Sequence, residues 1–456
     1  MKLQSIQALR GLAALLVVFF HIRSLELKGI AENGLTEQSW IGGVFTNGYV
    51  GVDLFFVISG FIMVFVTQEA GTGARQAADF LFARATRILP VWWAFAGFMA
   101  AYIAIVHGLL PGGEGWATVS RGQPLVPYMA KSFLLQPQAA FPVLGVGWTL
   151  VHEMYFYIVF TVLMCLPRRL LPHFLALWAI LLVAGTFLGF AAPYANTYRD
   201  LVFYPMTMEF ILGAFAGLLV TNGRLWRCGV VTLIGTAWLM VSLCFQGLET
   251  RFTLEWGRVL WFGPPSALII YGVSGLELRG RVAWLVPAAV GFLVTAAVYQ
   301  MFGLDDASPE AARRGATILS LAVGTIATLI VFWTGWLLGQ EAPETLHRMQ
   351  PVFQRLLRLS VRLGDWSFSL YLCHMIVLSA LRQTFGVLGR IDALAPLFRL
   401  GQPGPLDNLA FLAAGVAVSV GTAWLAYRFL ERPLIIFFGR IRLALFHRRP
   451  HMAAAT

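Results

Sequence analysis

The sequence predicts an all-α integral membrane protein that crosses the bilayer about twelve times. Three observations predict this fold class: 58% of the 456 residues are hydrophobic, only 12% are charged, and the mean hydropathy is +0.74. Soluble globular domains carry about 25% charged residues, so this class is excluded. Apolar stretches of about 20 residues, each enough for a helix to cross the hydrocarbon core, recur along the whole chain.

The hydropathy pattern gives the position of each span. We predict spans at about 6–23, 47–67, 88–110, 145–166, 171–191, 203–221, 226–246, 254–273, 282–302, 315–338, 366–386 and 407–427. Arginine and lysine concentrate in alternate loops, which the positive-inside rule assigns to the cytoplasm. Because the number of spans is even, both termini are expected there, and residues 436–456 form a basic cytoplasmic tail. The net charge of +11 then reflects topology and contact with membrane lipids, not binding to nucleic acid.

Two connecting segments are unusual. The stretch 111–144 is long and hydrophobic for an external loop, contains five prolines, and is predicted to cap or re-enter the membrane. The stretch 344–363 interleaves large apolar side chains with four arginines, which predicts an amphipathic helix on the cytoplasmic surface. A solvated basic linker on anionic lipid explains the second pattern equally well.

The cysteine pattern predicts no metal site. All four cysteines lie in or beside apolar stretches without CxxC spacing, so they indicate packing residues and no disulfide framework.

The first span carries two ionisable side chains, Arg10 and His21. At about 100° per residue their 11-residue separation makes three turns plus about 20°, with a rise of about 16 Å, so both lie on one helix face. Ionisable groups in a membrane usually face a protein interior or a water-filled cavity. The shared face therefore predicts one functional site whose two ionisable groups lie at different depths in the membrane. The alternative is that both are helix-end anchors that reach opposite membrane surfaces.

Further polar residues interrupt apolar stretches. Asp53 lies in the second span, Glu153 and the neighbouring His152 lie early in the fourth, and Glu209 lies in the sixth. Each buried carboxylate needs a partner, although a single histidine is more often a packing residue than a catalyst. Two further arginines, three residues apart, precede the third span, where positive-inside anchoring alone explains them.

Taken together, the motifs resemble the membrane-bound acyltransferase-3 family. They are Arg-x10-His, GVDLFFVISGF at 51–61, RATR-ILP at 84–90, WTLVHE at 148–153, DWSFSLYLCH at 365–374 and ERP at 431–433. The resemblance runs from about residue 4 to 435 and covers the transmembrane domain 1–435. It implies a core of about ten spans, which a two-helix insertion at about 282–338 reconciles with twelve. It also implies a bacterial inner membrane, acetyl-CoA as the acyl donor and a glycan hydroxyl as the acceptor.

The resemblance implies a role for each motif. It makes His21 the catalytic histidine and Arg10 its companion, and it makes Arg84 and Arg87 candidates to bind the donor's phosphates. A carboxylate, Asp53 or Glu153, is expected to orient the imidazole. The substrate-binding candidates are Trp148, Ser369, Tyr371 and His374. Direct transfer and an acyl-histidine intermediate both remain open.

The predicted function is therefore an integral-membrane O-acetyltransferase. Its acceptor would be a cell-surface polysaccharide or a lipid-linked precursor, with no metal involved. A transporter or flippase for a small anion or glycolipid would also use many spans and buried charges. A structural or sensing protein, in which polar side chains only hold helices together, is the third reading.

Overall fold

The computed structural model describes most of the chain. The described residues are 2–37, 46–107, 114–192, 195–244, 255–280, 309–341, 343–403 and 405–447, with short pieces at 290–291, 294–295, 297–299 and 301–302. Throughout these residues the regular structure is helical and contains no strand. The all-α fold class predicted from the sequence is confirmed.

Sixteen helices are numbered here in chain order within the described residues. They are α1 Gln4–Glu32, α2 Val50–Val66, α3 Ala74–His107, α4 Glu114–Ser120, α5 Leu125–Phe133, α6 Trp148–Met164, α7 Leu171–Phe187, α8 Tyr198–Val202, α9 Thr207–Thr221, α10 Cys228–Cys244, α11 Trp256–Leu278, α12 Glu310–Glu341, α13 Pro343–Leu388, α14 Ala395–Phe398, α15 Pro405–Ala426 and α16 Arg432–Phe446. Short 3₁₀ turns precede α6 and α7, and a π-helical turn, Tyr427–Glu431, joins α15 to α16.

Eleven of the twelve predicted spans coincide with apolar helices. Nine helical segments of the described residues are long and apolar enough to cross a membrane, and two shorter apolar helices, Val50–Val66 and Cys228–Leu243, match the second and seventh predicted spans. The chain is therefore a multi-pass membrane protein. The predicted span 282–302 lies largely outside the described residues, as does the tail beyond 447, so a total of twelve stays a prediction.

Several helices are longer than predicted. Helix α3 begins at Ala74, well before the predicted start of its span at 88, and contains Pro90. The amphipathic segment 344–363 is helical and continues without a break into the span at 366–386, so that α13 has 46 residues. At 1.5 Å per residue α13 is about 69 Å long, more than twice the thickness of the hydrocarbon core.

The chain divides into two compact units, which are described separately. The first unit contains Met1–Phe65 and Pro205–Thr422, and the second contains Val66–Tyr204 and Ala423–Thr456. The first unit therefore holds α1, nearly all of α2 and helices α9 to α14, with most of α15.

In the first unit, α1 is held at its N-terminus by polar contacts. The Glu277 carboxylate at the end of α11 accepts the backbone N–H groups of Gln4 at 2.7 Å and Ser5 at 2.8 Å. An acid at this position satisfies two unpaired helix donors and complements the helix dipole. Lys2 forms an ion pair with Asp365 on α13. The start of α1 is therefore fixed against two other helices.

Helices α1 and α13 run parallel and very close together. The start of α1 meets the middle of α13 through Lys2 and Asp365, and the far ends of the two helices meet through Glu32 and Arg382, 3.6 Å apart. A Cβ atom at Gly364 would overlap the backbone carbonyl of Gln7. Only glycine allows this approach, which is the usual function of small residues between membrane helices.

In the second unit, the stretch 114–144 packs against α3. The indole N–H groups of Trp92 and Trp93 donate to the carbonyl oxygens of Ser132 (3.1 Å) and Phe133 (3.0 Å), at the end of α5. Tyr128 has no exposed surface and donates to the Phe141 carbonyl at 3.1 Å; burial raises the pKa of its phenol to about 12. This segment is thus a packed, hydrogen-bonded structure.

Helix α16 packs against the beginning of α3. Arg442 binds Asp79 through two hydrogen bonds of 2.5 and 2.7 Å, and Arg75 donates to the Phe446 carbonyl at 2.8 Å. The bidentate geometry fixes the guanidinium in one orientation. Of the predicted tail 436–456, the structure describes residues 436–447. Nearly all of this part belongs to α16, which is attached to α3.

Replacing Gly364 tests the close packing of α1 and α13. We expect Gly364→Ala to destabilise the protein by about 1–3 kcal/mol, because backbone and not a flexible side chain would have to move. Thermal denaturation in detergent measures this effect. Gly386→Ala, on the same helix, is the control, since nothing lies within 4 Å of its added Cβ. Equal stability of the two variants would contradict the packing argument.

Candidate active site

Arg10 and His21 lie on one continuous helix, as predicted. Both belong to α1, and both side chains are partly exposed. Arg10 donates a long hydrogen bond of 3.4 Å to the Gln7 side chain. The helical geometry confirms the shared face, with the two residues separated by about 16 Å along the axis.

The partner of His21 within the first unit is a second histidine. Nε2 of His374, on α13, lies 3.3 Å from Nδ1 of His21, and the two ring centroids are 4.9 Å apart. His374 has no exposed surface. The close packing of α1 and α13 brings these residues, 353 positions apart in sequence, into contact. The sequence named both residues but did not predict that they would touch.

The hydrogen bonds assign the protons of both rings. Nδ1 of His374 lies 3.1 Å from the Leu370 carbonyl oxygen, which can only accept, so Nδ1 carries the proton and Nε2 is the acceptor. Nδ1 of His21 lies 2.9 Å from the Val17 carbonyl oxygen, which likewise only accepts, so this nitrogen carries the proton; Nε2 of His374, 3.3 Å away, is a second and longer acceptor. Neutral His21 therefore keeps its lone pair on Nε2. In the described part of the chain, Nε2 has no hydrogen-bond partner.

Asp53 binds an arginine. Arg258 on α11 donates to both carboxylate oxygens of Asp53, from Nε and Nη2, each at 2.8 Å, and its guanidinium lies 5.0 Å from the Tyr49 ring. Asp53 is one of the two carboxylates predicted to orient His21. Its observed partner is Arg258, and its catalytic role stays a prediction.

Glu209 belongs to the same buried cluster. It has no exposed surface, and it interacts electrostatically with Asp53 and Arg258. Apart from its contact with the Asp53 carboxylate, neither of its oxygens has a hydrogen-bond partner in the described residues. The cluster thus places two carboxylates beside one guanidinium inside the first unit.

A second buried ionic network follows His21. Arg23, 1% exposed, donates to Glu26 at 2.9 Å and to Glu37, and Glu37 accepts from Asn408 at 3.1 Å. Arg23 is two residues beyond His21, so it points to the other side of α1. These contacts attach the end of α1 and the segment after it to α15.

Arg84 and Arg87 lie in the second unit, within α3. The Arg84 guanidinium stacks 5.4 Å from the Phe80 ring and interacts electrostatically with Glu153 and Tyr157 on α6. The Tyr157 hydroxyl donates to the Glu153 carboxylate. The buried Nε of Arg84 has no partner among the described residues. An unsatisfied guanidinium donor beside a second arginine is suited to a phosphate ligand.

The predicted substrate-binding residues differ in exposure. Ser369 has no exposed surface and Tyr371 is 6% exposed, since both face other helices of the first unit. In the second unit, Trp148 is partly exposed and packs edge-on against His152, with centroids 5.8 Å apart. Their binding roles stay predictions, and the burial of Ser369 and His374 favours positioning over direct contact with a substrate.

Sequence reasoning missed Arg258, Arg23 and Glu26. A detectable signal existed for Arg258, because it lies inside a predicted span and a charge there requires a counter-charge. Its partner, 205 residues away, could not be identified from spacing. Arg23 and Glu26 lie at the predicted end of the first span, where the sequence indicates ordinary surface charges.

Comparison with known proteins adds to this geometry. A family model described as an acyltransferase domain matches residues 3–428. The exopolysaccharide production protein ExoZ of Rhizobium meliloti (strain 1021) is 31% identical over 321 residues, which cover 69% of this chain and 92% of that protein. No solved structure matches the chain. Because the family model covers nearly the whole length of this chain, the chain belongs to the membrane-bound acyltransferase-3 family.

Proposed function

We propose that this membrane acyltransferase transfers an acetyl group from cytoplasmic acetyl-CoA to a hydroxyl of a cell-surface or periplasmic polysaccharide, or of its lipid-linked precursor. Family membership supports acyl transfer, and the printed name of ExoZ supports an exopolysaccharide acceptor. The observation that carries the proposal is the partly exposed His21, whose Nε2 keeps its lone pair because the Nδ1 proton faces the Val17 carbonyl and His374.

In this proposal His21 is the general base. Nε2 accepts the proton of the acceptor hydroxyl while the hydroxyl oxygen attacks the thioester carbon. The new ester C–O bond forms as the C–S bond breaks, and His21 then passes its proton to the departing thiolate. Such assistance is worth about 10²–10⁴-fold in rate.

Arginines are proposed to hold the donor's phosphates. Arg10 of the first unit is one candidate, and Arg84 and Arg87 of the second unit are another. Each guanidinium carries a permanent charge in a planar fork that matches phosphate oxygens. Arg10 is expected near the cytoplasmic face, about 16 Å from His21, a distance that an extended pantetheine arm could cover. The arm would then deliver the thioester to the histidine.

The proposed location follows from the charge distribution. The protein would lie in a bacterial inner membrane with both termini in the cytoplasm, since arginine and lysine concentrate in the corresponding loops. A transporter or flippase would have the same topology. Membership of an acyltransferase family favours the enzyme, and turnover of acetyl-CoA by protein in detergent, where no gradient exists, distinguishes the two.

Replacing His21 tests the general base. We expect His21→Ala to lower acetyl transfer by about 10²–10⁴-fold, because no other group is proposed to accept the proton. Acetyl-CoA binding and thermal stability, measured separately, should stay close to wild type. The control is His173→Ala, which removes an exposed histidine of the second unit. Undiminished turnover in His21→Ala would remove this residue from the mechanism.

Two substitutions at His374 test its effect on the proton of His21. His374→Leu removes the longer of the two contacts of the His21 Nδ1 proton and leaves the Val17 carbonyl. We therefore expect the Nδ1–H tautomer to persist while the ring is less firmly held, with a fall in kcat of up to about tenfold, the value of one hydrogen bond of about 1.4 kcal/mol. KM should change little. His374→Gln offers a carbonyl acceptor and should keep most of the rate. Ring ¹⁵N chemical shifts of labelled His21 report the tautomer, and a shift of the proton to Nε2 in wild type or in His374→Leu would refute the assignment.

A double substitution separates two roles for Asp53. Asp53→Leu alone should destabilise the protein by about 3–5 kcal/mol, because the buried Arg258 guanidinium loses both of its hydrogen bonds to Asp53 and keeps only its electrostatic interaction with Glu209. Asp53→Leu with Arg258→Met should recover part of this stability, since Glu209 then lacks its cation, and most of the turnover. Thermal denaturation and acetyl transfer measure the two effects. A stable but inactive double variant would instead support the predicted catalytic role of Asp53.

A further inference from the structure

A cavity of about 290 Å³ opens beside the far ends of α1 and α13, within the first unit. Its volume is just below the usual range for ligand sites, about 300–1,000 Å³, and is enough for a single sugar ring and not for a longer ligand. The residues used in this argument line its walls: Leu25, Glu32, Arg382, Phe385, Arg390 and Arg399.

The cavity lies on the same helix faces as the histidine pair. Glu32 follows His21 by 11 residues, and Phe385 follows His374 by 11 residues. Each step leaves the side chain within about 20° of the histidine's direction and about 16 Å further along the helix. The nearest lining residue, Leu25, is one turn beyond His21. The cavity therefore lies further along the two helices than the histidines, on the side opposite to Arg10.

Positive charge is in excess around this cavity. Glu32 lies 3.6 Å from Arg382 and 3.8 Å from Lys28, so these two cations share one carboxylate. Arg390 and Arg399 are exposed, and neither forms an ion pair with any residue that the structure describes. Two guanidinium groups at the wall of one cavity can bind a carboxylate with charge-assisted hydrogen bonds.

The rest of the wall is apolar and firmly packed. The Phe385 ring packs against Phe398, with centroids 4.8 Å apart, and against Phe411 at 5.1 Å. Asn33 donates to the Gly401 carbonyl at 2.7 Å, which joins the end of α1 to the segment after α14. Aromatic rings beside a few polar groups are typical of sites that hold a small ligand in one orientation.

We propose that this cavity binds an acidic sugar of the acceptor glycan. The carboxylate would contact Arg390 and Arg399, and the sugar ring would lie against the aromatic wall. A neighbouring sugar of the same chain would then present its hydroxyl to Nε2 of His21. This inference rests on the proposed function and adds to it the chemical class of the acceptor.

Direct binding tests the proposal without requiring turnover. The full chain is placed in nanodiscs of neutral phosphatidylcholine and titrated with a hexuronic acid hexasaccharide and, separately, with the neutral maltohexaose. We expect the acidic probe to bind about 2- to 30-fold more tightly, the contribution of two exposed ion pairs, and we expect Arg390→Ala with Arg399→Ala to abolish this preference. Arg355→Ala, an exposed arginine at the other end of α13, is the matched control.

Each remaining outcome decides the question. Equal binding of the two probes by wild type, or an unchanged preference in the double variant, would overturn the proposal. So would displacement of the acidic probe by anionic phospholipid at unchanged ionic strength, since the arginines would then serve a lipid headgroup. Acetyl-CoA turnover, assayed in parallel, tests the proposed function separately: if turnover is absent while the acidic preference is present, only the enzymatic proposal fails.

Discussion

The parallel packing of α1 against α13 is the constraint on which the first unit depends. Gly364 lets the backbones approach closely, and the Glu277 carboxylate fixes the start of α1. In a membrane no water is available to satisfy a displaced polar group, so such contacts must be complete within the protein. The same packing sets the 3.3 Å separation of His21 and His374. A shift of α1 by one residue would rotate His21 by about 100° and move it away from its partner.

The buried charges of the first unit hold helices in place. Arg258 joins α11 to α2 through Asp53, and Arg23 joins α1 to the segment that reaches Asn408. Breaking such a pair exposes a charge to an apolar interior, which costs more than the pair contributes when it is intact. The reading that polar side chains only connect helices therefore describes Asp53 well. It does not describe His21, which is partly exposed and has a free ring nitrogen.

Periodicity allowed much of the fold to be predicted. The face shared by Arg10 and His21 follows from the helical repeat. Both residues lie on the single continuous helix α1. The His21–His374 contact could not be predicted, because spacing within a helix says nothing about which helices are neighbours. The continuity of α13 was also missed, since hydropathy detects where the chain becomes polar and the helix continues through that boundary. The sequence therefore predicts local helical structure but does not show which helices pack against each other.

The His21–His374 pair differs from a catalytic triad in one physical respect. In a triad a carboxylate fixes the tautomer of the base and also stabilises the imidazolium that forms. Here the Val17 carbonyl and a neutral imidazole face the Nδ1 proton and so perform the first task. Among the residues of the first unit that the structure describes, no carboxylate is hydrogen-bonded to either ring to perform the second. The protonated state of His21 would therefore be short-lived. In the proposed reaction, this favours transfer of the proton from His21 to the departing thiolate as the C–S bond breaks. His21 would then carry the proton from the acceptor hydroxyl to the thiolate of the donor.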